Sequence, residues 1–150
     1  MDGYDFEKLT REIVVSRFGD LAEKAPEAAA EVARKTLVTT LTDKAARQDP
    51  RLTVTAVCRG LLGGLLFINQ DLPAAAVRVL RVLGDVAVDV HLSPEDLMTW
   101  AMEGFAAVAV VAGPEAEHGI ETAIEQQLMG AGSVFTAACA AARAQKGAAS

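Results

Sequence analysis

The residues best equipped for chemistry lie in "PEAEHGIETAIE", residues 114–125. Glu115 and His118 stand three apart, the spacing at which carboxylate-bridged di-metal bundles place a carboxylate and an imidazole on one helix face. Glu121 and Glu125 follow on the same stretch. Such a centre takes two copies of the motif and two more carboxylates from facing helices. The chain supplies one copy, so a metal-dependent bundle enzyme would have to be assembled across a symmetric dimer. Acidic residues just after Pro114 have a simpler reading, because they favour the positive end of a helix dipole. The expectation is a solvated acidic face, with no metal ligand and no cofactor assigned. The other imidazole, His91, falls at a helix end, where it complements the C-terminal dipole.

Nucleophilic chemistry finds little support. Ser, Cys and His nowhere fall into an activated arrangement, so no catalytic residue is assigned. Cys58 and Cys139 stand in apolar helical surroundings without a CxxC spacing, which predicts buried reduced thiols rather than a disulfide. The glycine-rich "GLLGGLL" lacks the Lys and the spacing of a phosphate cradle.

That stretch belongs to "CRGLLGGLLFINQ", residues 58–70, where apolar side chains point in every direction from Ala56 to Ile68. A helix apolar all round is expected to be surrounded by protein. Each glycine inside it costs about 1 kcal/mol against Ala, so something must offset Gly60, Gly63 and Gly64. Gly60 and Gly64, four apart, share a face and allow a close helix crossing; a hinge or a ligand contact is the alternative. Arg59 either buries its stem and keeps its guanidinium in water, or pairs with Glu103, which interrupts the apolar helix 97–112 in the same way. Arg59, Gly60, Gly64 and Glu103 are therefore the candidate helix-contact residues. Met98, Trp100 and Met102 are the candidates for lining an apolar pocket, with plain core packing as the competing role.

The elements that position these residues are all helical. Helices are predicted over about 5–18, from Pro26 to about Arg47, over 50–68, 72–90, 94–112 and 115–129, and, after a break at Gly130-Ala131-Gly132, in a last Ala-rich helix to about Gln145. A further short turn is expected at 20–24, and residues 146–150 read as a frayed tail. Asp49-Pro50, Asp71 with Pro73, and Ser93-Pro94 are helix starts, each a side-chain cap followed by proline in the first turn. Gly113-Pro114 breaks the helix before it. Sliding the chain by 44 residues aligns Asp49-Pro50, Thr55 and Gly60 with Ser93-Pro94, Thr99 and Gly104, a faint sign of two pseudo-repeated helix pairs.

Composition bounds the rest. The chain of 150 residues is 51% hydrophobic, mostly Ala, Val and Leu, and 23% charged. A net charge of −6 argues against nucleic acid, which needs a concentrated basic surface. The apolar segments 52–68 and 97–112 are short for a membrane span and each carries a charge near its middle. The start "MDGYDFEKLT" lacks a basic region followed by an apolar one, so a cytoplasmic location is expected. The fold expected is all-α: one domain over 1–145, a compact bundle of six to seven helices with two nearly polar-free central ones, about 50–68 and 97–112. The function expected is that of a non-enzymatic interaction module, a scaffold, adaptor or regulator, acting as a homo-oligomer or on a protein partner's helices. Binding of an apolar small molecule between the central helices is the second expectation.

Overall fold

Asp49, Asp71 and Ser93 each accept a backbone N–H from the first turn of the helix that follows: from Arg51 at 2.9 Å, Ala74 at 3.0 Å and Asp96 at 3.4 Å. With Pro50, Pro73 and Pro94 pre-setting the backbone, these caps start three helices where the sequence predicts them. The computed structural model describes residues 5–17, 24–42, 49–68 and 71–149. Among them the chain forms seven helices and no strand: α1 (Phe6–Arg17), α2 (Ala25–Thr42), α3 (Pro50–Phe67), α4 (Leu72–Val90), α5 (Pro94–Ala112), α6 (Pro114–Gln127) and α7 (Ala131–Ala149). The turn expected at 20–24 falls mostly outside the described residues, as does the expected continuation of α2 to Arg47. α7 continues to Ala149, beyond its expected end near Gln145.

The helices form two layers. Each odd-numbered helix packs on the next odd one, α1 on α3, α3 on α5 and α5 on α7, while α2 packs on α4 and α4 on α6. Neighbours within the odd layer run parallel. Gly60 lies against Glu7, and Gly64, one turn on, lies against Arg11 and Val14; likewise Gly104 faces Thr55 and Cys58, and Gly63 faces Val108. The even layer is also in step, with Arg78 beside Glu27, and Arg81 bonded to Gln127. This is the stacking of helix pairs, each unit contacting its neighbours, that solenoids use. The 44-residue offset has a structural counterpart: Gly60 of α3 sits against α1 as Gly104 of α5 sits against α3.

The core lies between the layers, with Leu37, Leu61, Leu65, Leu80, Leu83, Phe105, Ile120 and Phe135 fully buried. One expectation needs correcting here. The central helices α3 and α5 are not enclosed on all sides. Leu52 is 65% exposed, Phe67 76% and Val111 66%, because the odd layer has a second face that no described helix covers.

Candidate functional site

That uncovered face carries a groove along the helix axes. Glu7 and Arg11 enter it from α1, Arg51, Arg59 and Leu66 from α3, Glu103 and Val111 from α5, and Ala142 and Gln145 from α7. Two adjoining troughs make it up, of about 600 and 670 Å³, sharing Glu7, Arg59, Ala107, Ala142 and Gln145. Small residues form its floor, notably Ala56, Gly63, Ala107 and Ala138.

The charges in the groove are arranged differently from the sequence expectation. Arg59 does not meet Glu103; its Nη1 lies 3.3 Å from Glu7 Oε1. Glu103 instead accepts two bonds from Arg51, at 3.0 Å from Nε and 2.5 Å from Nη2. The reason is helical geometry. Arg51 and Arg59 are eight residues apart, a net rotation of about 80°, which turns Arg51 toward α5 and leaves Arg59 toward α1. Glu103 bonded in this way holds the Arg51 guanidinium above its usual pKa. Glu7 has a second cation as well, Arg11 Nη1 at 3.6 Å from Oε2, so one carboxylate serves two guanidiniums.

Gly60 and Gly64 lie where α1 crosses α3. A Cβ on Gly60 would run into the Glu7 carbonyl oxygen, and one on Gly64 would stand 2.8 Å from Val14 Cβ. Met98, Trp100 and Met102 do not converge on either trough. Met102 is buried in the core, while Met98 and Trp100 pack partly exposed against it. Alternate residues of a helix are about 200° apart, so Trp100 turns away from the side that Met98 and Met102 share. Its carbonyl accepts the Thr55 hydroxyl at 3.3 Å.

The residues of the acidic stretch are dispersed among structural tasks. Glu117 takes Arg143 Nη1 on both oxygens at 2.8 Å, joining α6 to α7. Glu125 accepts the backbone N–H groups of Gly130 and Gly132, each at 3.0 Å, and so caps the start of α7. His118 is exposed, with Glu121 3.8 Å away. Among the described residues no three His, Cys, Asp or Glu side chains gather as a metal would require. Cys58 and Cys139 are free and buried, and burial pushes both thiols up to about 12, with the Glu117 carboxylate adding to the effect at Cys139.

Glu7, Arg11 and Arg51 were not among the sequence candidates. A signal for the open face was present in Arg51, Thr55 and Arg59, spaced four apart, which form a polar stripe on α3. Of that stripe only Arg59 lies within the apolar run from Ala56 to Ile68.

The two ends of the odd layer differ in character. The side of α1 turned away from α3 carries Lys8, Glu12 and Ser16, all exposed, together with Leu9, 47% exposed. The corresponding side of α7 carries Ser133, Ala137, Ala140 and Ala144, also exposed and with no charge among them. No described helix is long and apolar enough to cross a membrane. Compared with known protein families, with curated proteins and with solved structures, the chain finds no match.

Proposed function

We propose that the protein is a non-enzymatic interaction module that self-associates through α7. The observation that carries this is the contrast between the ends of the stack. Stacked-helix proteins keep their outermost faces polar, because an uncovered apolar face draws in another layer. α1 carries the charged Lys8 and Glu12 there beside the half-exposed Leu9, whereas α7 presents Ala137, Ala140 and Ala144 with no charge among them. Small side chains let a second α7 approach closely, and two-fold pairing of the same face in two copies closes the assembly.

Light scattering across a concentration series tests this. We expect a dimer or larger species at micromolar concentration, and a monomer of unchanged helicity for Ala137→Glu and for Ala144→Glu. A stable interface buries about 1,200–2,000 Å² in total, and a charge at its centre removes the fit. A wild-type chain that stays at 15.7 kDa at 100 μM would overturn the proposal.

A further inference from the structure

The groove on the uncovered face has one end whose chemistry is specific. In the trough of about 600 Å³, Gly63, Ala107 and Val108 make the floor and Leu66 and Val111 the apolar walls, with Arg59 and Arg11 at one side. Those two guanidiniums share the single carboxylate of Glu7, so the trough holds one positive charge more than it holds negative. The adjoining trough has the opposite balance, adding Asp5, Asp49 and Glu103 against Arg51 alone. An anion is therefore favoured at Arg59 and Arg11 and disfavoured beyond them, and an attached apolar body has to lie the other way, toward Leu66 and Val111.

We infer that this trough binds an amphipathic carboxylate, an acyl chain ending in one anionic group. Arg59 and Leu66 are seven residues apart on α3, about 10 Å at 1.5 Å per residue, which matches an extended chain of about eight carbons. The volume lies within the range of about 300–1,000 Å³ usual for small-molecule sites. A ligand carboxylate would join Glu7 as a second anion beside these guanidiniums, whose planar donor sets can bond more than one carboxylate. The residues involved are not those of the outer face of α7, so this site stands or falls independently of self-association.

Titration of ¹⁵N-labelled protein with decanoate, followed by amide shifts, tests the site. Saturable shifts are expected at Gly63, Ala107 and Val111. From hexanoate through octanoate to decanoate, affinity should rise by about two- to fourfold per added CH₂. Decanol and decyltrimethylammonium should bind more weakly than decanoate. Arg59→Gln should weaken decanoate by about two- to fivefold, and Glu7→Gln, which leaves both guanidiniums unneutralised, should tighten it by a similar factor. Arg11→Gln provides the same reading as Arg59→Gln should that variant lose its dispersed spectrum. Decanol binding as tightly as decanoate, weaker binding by Glu7→Gln, shifts centred away from the trough, or no saturable shift would each overturn the inference.

Discussion

At the scale of single residues, the glycines separate by what a methyl group would meet. Gly60, Gly64 and Gly104 lie against the backbone or Cβ of a neighbouring helix, with Gly104 placed so that a Cβ would stand 2.6 Å from the Thr55 carbonyl oxygen. Gly63 would find only Val108 Cγ2, at 3.9 Å, and Gly84 has nothing within 4 Å. Replacing Gly60, Gly64 or Gly104 with Ala should destabilise the fold by about 1–3 kcal/mol, since backbone cannot move aside as a flexible side chain can. Gly84→Ala should stabilise by about 0.4–1 kcal/mol, with Gly63→Ala in the same direction. Urea denaturation at fixed protein concentration measures both signs, and a more stable Gly60→Ala would remove the close-crossing account. Cys58 supplies a second prediction. Its thiol is raised from 9.0 to about 12 by burial, so the unfolded chain gives up that proton first as pH rises. The associated stability is complete below about pH 9 and is lost toward pH 12, at about 1.4 kcal/mol per pH unit. Denaturation at pH 8, 10 and 11 should show that Cys58→Ala has a shallower alkaline decline than the wild type; equal slopes would contradict it.

At the scale of elements, the helix ends carry the specificity. α4 closes on His91 in the left-handed region, φ 58° and ψ 44°, with the Leu92 N–H returning to the Ala87 carbonyl. α7 depends on a cap from the preceding helix, the Glu125 carboxylate on Gly130 and Gly132. Glu125→Ala should therefore cost about 1–2 kcal/mol, and hydrogen exchange should speed up first in the opening turn of α7. Uniform exchange along α7 in that variant would show that the cap does not hold the helix start. The same carboxylate reads in the sequence as one of four possible metal-motif groups, because spacing records which groups share a helix and not which backbone donors lie beyond its end.

At the scale of the whole molecule, the two layers of described helices leave uncovered, among other surfaces, the groove of the odd layer and the outer side of α7. If the second joins copies, folding is coupled to association, and the denaturation midpoint should rise with protein concentration. Ala144→Glu should abolish that dependence while the far-UV circular dichroism spectrum remains helical. A wild-type midpoint independent of concentration from 1 to 100 μM would argue against the α7 interface.

The sequence by itself determined the helices. Cap-plus-proline pairs are local chemistry, so Asp49-Pro50 and Ser93-Pro94 could be read directly, and α4 begins and ends where its pattern predicts, at Leu72 and Val90. It also marked Gly60 and Gly64 as anomalies, because the cost of glycine in a helix is intrinsic to the residue. Which helix lies over those glycines, and which side of α3 stays open, were decided only by the tertiary structure. Apolar side chains do not encode a partner, and a side chain's neighbours across a layer depend on the relative rotation of two helices. That rotation gave Glu103 to Arg51 and Glu7 to Arg59, a pairing absent from either helix's own pattern.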